Sequence, residues 1–251
     1  MDSPVSVTQP RAGVATITLS RPAAFNALSE DMLATLKQSL QKLSTDKSIN
    51  VVILAAEGRA YCGGHDLKEM RAAPSRDYYE GLFKQCTDVM MAILRLPQPV
   101  IAQVEGVATA AGCQLVAMCD LAVSADSARF AVSGVNLGLF CSTPSVALSR
   151  NIGRKEALYM LLTGEFISAE QAQQWGLINE VAPQADVAQA TEALAEKILK
   201  KPAPALRLGK RLFYEQVETN IARAYELAGQ TMACNMMDET ALEGVQAFID
   251  K

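Results

Sequence analysis

Val100-Ile101-Ala102-Gln103-Val104-Glu105-Gly106-Val107-Ala108-Thr109-Ala110-Ala111-Gly112-Cys113-Gln114 joins a buried strand to a helix through a turn of small residues. Its first five residues are apolar save Gln103, which fits a strand covered on both faces of a parallel sheet. The small residues after it strip side-chain cover from backbone N–H groups at a helix N-terminus, a natural anion or oxyanion site. A matching arrangement lies upstream. There Val51-Val52-Ile53-Leu54-Ala55 reads as a buried strand, and Ala60-Tyr61-Cys62-Gly63-Gly64-His65-Asp66-Leu67-Lys68-Glu69-Met70 follows it. Paired glycines let the backbone approach a ligand, and Asp66 is placed to cap the next helix.

Working outward, Val14–Leu19 alternates as a strand, and Ser29 opens a helix with Glu30 and Asp31 in its first turn. Met32, Leu36, Leu40 and Leu43 continue that helix at its own spacing. The pattern predicts a longer helix over 78–94, then short strands at 121–124 and 129–131. From about residue 136 the chain reads as mostly helical. Ser168-Ala169-Glu170-Gln171 forms a capping box, and Gly176 closes that helix. Pro202 and Pro204 set off a C-terminal segment of two or three helices. Alternating strands and helices imply right-handed crossovers and mainly parallel sheets. The expectation is therefore an α/β core over residues 1–195 and a helical region over 196–251. That region carries Leu206, Leu212, Phe213, Ile221, Ala224, Leu227 and Met232 on too many faces for a lone appendage, so it calls for a neighbouring copy.

Composition excludes several classes. Of 251 residues, 50% are hydrophobic and 20% charged, which rules out intrinsic disorder. The net charge of −4 includes no basic block, so a nucleic-acid partner is not expected. No run of ~18 uncharged apolar residues occurs, so no membrane span is expected. The six cysteines form no C-x-x-C pair and read as reduced thiols, and the first residues lack a secretory pattern. Both point to the cytoplasm, or to the mitochondrial matrix for a trimmed eukaryotic chain. The single histidine, His65, excludes a multi-histidine zinc site, and no metal is expected.

The two turns, in this order, resemble those of the crotonase (enoyl-CoA hydratase/isomerase) superfamily over residues 5–250. Further matches are Leu19-Ser20-Arg21-Pro22 with Phe25-Asn26-Ala27-Leu28, Ala111-Gly112-Cys113-Gln114-Leu115 with Cys119-Asp120, and Leu162-Thr163-Gly164-Glu165 with Ser168–Ala172. Gly138-Leu139-Phe140-Cys141-Ser142-Thr143-Pro144 is similar to a signature of the enoyl-CoA hydratase domain-containing subgroup. The resemblance implies a spiral of ββα units, a helical C-terminal trimerisation region giving a trimer or dimer of trimers, and acyl-CoA ligands. Coenzyme A would enter as part of the substrate, with no separate cofactor. It further implies an oxyanion hole from the backbone N–H groups of His65 and Ala111. Ala24, Phe25, Ala27, Gly63, Asp66, Leu67, Gly112, Phe140 and Lys210 would contact the substrate, Lys210 in a region that reaches a CoA phosphate.

The pattern departs from the family at the two hydratase glutamates, which fall at Gln114 and Gly134. An amide cannot take up a proton as a carboxylate does, and glycine offers nothing. Positioned acid–base groups contribute roughly 10²–10⁴-fold each, so efficient hydration should be lost. Ser142 lies near where dienoyl-CoA isomerases and chlorobenzoyl-CoA dehalogenases carry an aspartate, so those chemistries lack support too. The His65 ring either packs, or holds a carboxylate or moves a proton; methylmalonyl-CoA decarboxylases are similar in having Gly-His-Asp there. Three readings remain open: a weak or inactive hydratase-like thioester binder, a decarboxylase or thioesterase, and a non-catalytic acyl-CoA-binding regulator. Asp66 is expected chiefly as a helix cap, and Cys113 and Cys141 as small hydrophobes.

Overall fold

A computed structural model describes residues 3–72 and 74–250. β1 (Val5–Arg11) pairs antiparallel with β2 (Val14–Leu19), and α1 (Glu30–Thr45) follows, its Ser29 hydroxyl accepting the Met32 N–H at 3.1 Å. The first strand pair is β3 (Val51–Ala56) and β4 (Ala60–Cys62), trailed by α2 (Leu67–Ala72) and α3 (Arg76–Arg95). The second is β5 (Val100–Val104) and β6 (Val107–Thr109) with α4 (Ala111–Met118). A third, β7 (Leu121–Ala125) and β8 (Arg129–Ala131), leads through a 3-10 turn at Ser133–Leu137 to α5 (Ser142–Asn151) and α6 (Arg154–Thr163). β9 (Ile167–Ser168), α7 (Ala169–Trp175), β10 (Glu180–Ala182) and α8 (Val187–Leu199) complete the core. α9 (Ala203–Val217), α10 (Ile221–Met236) and α11 (Glu239–Ile249) end the chain.

Each strand pair sends its first member to one sheet and its second to another. The large sheet runs β1-β2-β3-β5-β7-β10 and the small one β4-β6-β8-β9, and among the described residues only the β1–β2 and β8–β9 pairings are antiparallel. This is the expected repeated ββα unit. Val51, Val52, Ile53 and Leu54 are buried on both faces: α8 packs against β3, and Leu36, Leu40, Val89 and Ile93 from the paired helices α1 and α3 join the same core. Such double cover explains why this strand shows no alternation. The second strand of each unit is only three residues long, and β4 pairs with β6, so both end close to one another. That ending places the turn backbones side by side.

The expected division at residue 195 falls inside α8, which runs on to Leu199 with Val187, Thr191 and Ala195 buried. The break in structure lies at 200–202. Beyond it, Ala224 is the only residue buried as a whole among the described residues of α9, α10 and α11, although the side chain of Lys210 is also covered. Among the described residues no helix is long and apolar enough to cross a membrane.

Candidate active site

The loop before α1 is stitched to the first glycine turn by backbone hydrogen bonds. Gly63 N–H donates to the Phe25 carbonyl at 2.9 Å, and Leu28 N–H donates to the Gly64 carbonyl at 2.8 Å. Phe25 and Asn26 both adopt left-handed backbone angles, φ 52° and 51°. Asn26 holds that conformation: its buried side chain accepts the Arg21 N–H at 2.8 Å and donates to the Glu57 and Ala60 carbonyls, each at 2.8 Å. An amide with both donors and acceptor satisfied offsets the cost of a positive φ.

The two turns meet where β4 ends and α4 begins. A Cβ on Gly112 would lie 2.1 Å from the Cys62 carbonyl oxygen, so only glycine allows this contact. Gly64 sits at φ 94°, and a Cβ there would stand 3.0 Å from Ala110 Cβ and 3.5 Å from the Ala111 nitrogen. Ala110 itself has φ 52°, a non-glycine outlier at the entrance to α4. The N–H groups of His65 and Ala111 donate to no backbone carbonyl among the described residues. Two free donors on adjacent turns, one at a helix N-terminus, favour an electron-rich oxygen between them.

Two cavities open on these turns. An outer groove of about 820 Å³ is lined by Ala24, Phe25, Ala27, Gly63, Asp66 and Leu67, with Arg21, Arg59 and Lys68 supplying positive charge. The Arg59 guanidinium lies 4.5 Å from the Phe25 ring centre, a cation–π contact. Arg21 pairs with Asp66 at 3.2 Å, while the other Asp66 oxygen accepts the Lys68 N–H at 3.1 Å and caps α2. An inner chamber of about 250 Å³ is lined by Met70, Phe83, Ala111, Gly134, Leu139 and Phe140, among others. Gly63, His65 and Leu67 border both spaces. His65 therefore stands at the throat between a charged groove and an apolar chamber.

The His65 ring packs edge-on against Phe83 from α3, at 5.5 Å between centres. Both ring nitrogens are buried and lack a partner among the described residues. Burial lowers the imidazole pKa from its ordinary value, opposed by the nearby Leu28 carbonyl, so the ring is neutral at pH 7. The cysteines are quiet. Burial pushes Cys113 up to about 12 and also raises Cys141, against a Gly134 N–H that works the other way. Neither supplies a thiolate.

Three expected site residues sit differently. Lys210 does not reach toward a ligand: its ammonium donates to Asp120 at 2.6 Å and to the Ile93 and Gln98 carbonyls at 3.0 Å each. All three protons are committed, and Asp120 also accepts Tyr214 Oη–H at 2.9 Å and Val100 N–H at 2.6 Å. Lys210 anchors α9 to the core. Gln114 is buried, does not line the chamber, and its Oε1 has no partner among the described residues. Gly134 lines the chamber, but a Cβ there would lie 2.5 Å from the Leu139 carbonyl oxygen and 2.8 Å from Cys141 Sγ. The 138–141 loop occupies the room a side chain would need. Gly112 packs beneath the turn without lining either cavity. Sequence reading missed Arg59, Met70, Phe83, Ser133 and Leu137. Arg59 beside Gly58 was the one local signal; Phe83 looks like any helix aromatic until α3 is placed.

Residues 9–251 match the enoyl-CoA hydratase/isomerase family. The mitochondrial enoyl-CoA hydratase domain-containing protein 3 of Rattus norvegicus is 45% identical over 244 residues, 97% of this chain and 81% of that protein. A crystal structure of an enoyl-CoA hydratase from Mycobacterium smegmatis superposes with TM-score 0.98 at 60% identity, covering 99% of this chain and 97% of that one. The human enoyl-CoA hydratase domain-containing protein 3 gives TM-score 0.94 at 45% identity, covering 98% and 97%. With the family match running over residues 9–251 and the ββα units in place, the chain belongs to the enoyl-CoA hydratase/isomerase family of the crotonase superfamily.

Proposed function

We propose that this protein binds an acyl-CoA thioester and stabilises its enolate, while catalysing hydration weakly or not at all. The nucleotide end lies along the outer groove, where Arg21, Arg59 and Lys68 offer charge to phosphates. The acyl group enters the inner chamber, and the thioester oxygen takes hydrogen bonds from His65 N–H and Ala111 N–H. Negative charge on that oxygen grows as an enolate forms, so both bonds strengthen in the transition state. Loss of one such donor typically costs on the order of 3–4 kcal/mol. The observation that carries this reading is the free pair of N–H groups at the mouth of a chamber whose lining, among the described residues, holds no acidic side chain. Water activation and α-carbon protonation each need a positioned acid or base, and neither Gln114 nor Gly134 is one.

The acid-free lining also supports a second reading, decarboxylation of a malonyl-type thioester. There the C–C bond electrons pass to the enolate as CO₂ leaves, so no base is required, and solvent returns the proton to the α-carbon. A thioesterase or a non-catalytic regulator would share the same ligand. The apolar faces left by Phe213, Ile221 and Met232, 56%, 74% and 71% exposed, support assembly as a homotrimer or dimer of trimers. Coenzyme A enters only as part of the substrate, and the compartment is the cytoplasm or the mitochondrial matrix. Calorimetric titration with acetyl-CoA and longer acyl-CoAs tests the common ligand. Saturable binding is expected, and no binding at millimolar concentration overturns it. Release of CO₂ or of free CoA across a thioester panel separates the reactions.

A further inference from the structure

Each of the two free backbone donors belongs to a peptide whose carbonyl is already taken. The Gly64 carbonyl accepts the Leu28 N–H at 2.8 Å, and the Ala110 carbonyl accepts the Gln114 N–H at 3.1 Å. In a trans peptide the N–H points opposite the carbonyl, so these bonds hold the His65 and Ala111 N–H groups in fixed directions. Gly64 and Ala110, the residues that precede the donors, also face each other. A Cβ on Gly64 would stand 3.0 Å from Ala110 Cβ and 3.3 Å from the Thr109 carbonyl oxygen. The Ala110 methyl thus fills the room that Gly64 leaves open. Its backbone is strained to do so, with φ 52° and ψ −119°, angles that glycine adopts freely and alanine does not. The Ala110 N–H donates to the Ala131 carbonyl at 2.9 Å, and Thr109 beside it shares a hydrogen bond with Ser133 at 3.0 Å. A glycine at 110 would keep these bonds and shed the strain. It would lack only the methyl, at a position that lines the inner chamber.

We propose that the Ala110 methyl is the spacer that sets the separation and angle of the two donors, making Ala110 a positioning residue for enolate stabilisation. Donors held in place beforehand need no reorganisation as charge grows on the thioester oxygen, and a looser pair gives up that advantage. This inference rests on the enolate reading above and deepens it. It also gives the turn a reason to carry a strained alanine where glycine would fit without strain.

The test uses 3-oxobutyryl-CoA as an ionisable probe, because its enolate has a near-ultraviolet band that the neutral ester lacks. The band is followed against pH with the probe bound to the full chain, beside calorimetry with butyryl-CoA, which stays un-ionised. The natural protein should ionise the bound probe at lower pH than water does. In Ala110→Gly the midpoint should move back toward the free value by about one pH unit, a tenfold loss and smaller than the roughly 10²–10³-fold of a deleted donor. Affinity for butyryl-CoA should stay within about twofold, since a ground-state carbonyl gains less from exact donor geometry. Ala110→Ser, which keeps the Cβ, should retain most of the natural shift. A midpoint unchanged in Ala110→Gly overturns the inference and leaves the enolate reading intact. Equal loss of butyryl-CoA and enolate binding, or an Ala110→Gly chain that does not fold, makes Ala110 a packing residue and overturns it too. A bound probe with no shift in the natural protein removes the enolate reading, and binding of neither ester removes the acyl-CoA reading; the inference falls with either.

Discussion

The first turn of α4 and the 133–141 loop differ in what stands where the family resemblance places an acid: Gln114 in one, Gly134 in the other. At Gln114 the side chain is present, buried and of nearly the size of glutamate, so the change there is one of charge. At Gly134 the change is one of space, because the Leu139 carbonyl and Cys141 Sγ occupy the volume of a Cβ. A chemical group can be exchanged at the first position without moving the backbone. The second position would need the loop rebuilt. The two departures therefore teach different things about this chain. On the proposed reading, Gln114 bears on the reaction, whereas Gly134 bears on the shape of the chamber.

A third expected ligand residue sets the scale for testing that contrast. Lys210→Met should cost about 3–5 kcal/mol, because it leaves Asp120 buried without its counter-charge. Chemical denaturation checks this, and Lys210→Met with Asp120→Leu should lose less than the single change if the penalty is an unpaired charge. Gly134→Glu comes next. Forcing a side chain against a backbone carbonyl should cost about 3 kcal/mol and should not recover hydration, with or without Gln114→Glu. Full thermal stability of that variant would show that the loop yields, and would break the distinction drawn above.

Gln114→Glu alone should be milder, roughly 2 kcal/mol at neutral pH, and its cost should depend on pH. Burial raises a carboxyl pKa, so the folded variant holds its proton to higher pH than the unfolded chain. Its stability relative to the natural protein should be near zero loss at about pH 4 and should worsen as pH rises through that range. A loss independent of pH would mean the new carboxyl has found solvent or a partner. The smallest effect belongs to His65. Its pKa is lowered in the fold, so the unfolded chain takes up the proton first as pH falls below about 6.5. The natural protein should lose stability relative to His65→Phe between pH 7.5 and 5. Parallel melting curves across that range would place the ring in water.

Much of this was readable from residues alone, for reasons that are local. The helix opened by Ser29, the strand at Val14–Leu19 and the buried strand at Val51–Ala55 declare themselves through caps and periodicity. The two glycine turns were visible because close backbone approach demands small residues. Strands of two or three residues, such as β4, β6 and β9, carry too little pattern to be seen, so of the second sheet only β8, at 129–131, was legible. Lys210 misled for a related reason: a lysine on a helix gives no sign that Asp120, ninety residues earlier, lies beneath it. Gly134 likewise reads as a missing acid until the Leu139 carbonyl is seen beside it.

The central claim, that the scaffold keeps its paired donors and has lost its acids, is tested most directly by the rate of crotonyl-CoA hydration. The unmodified protein, shown by calorimetry to bind an acyl-CoA, should hydrate crotonyl-CoA at least ~10³-fold more slowly than a family member carrying both glutamates. Turnover within about tenfold of that member would contradict the account, because it would require an acid and a base that neither Gln114 nor Gly134 provides.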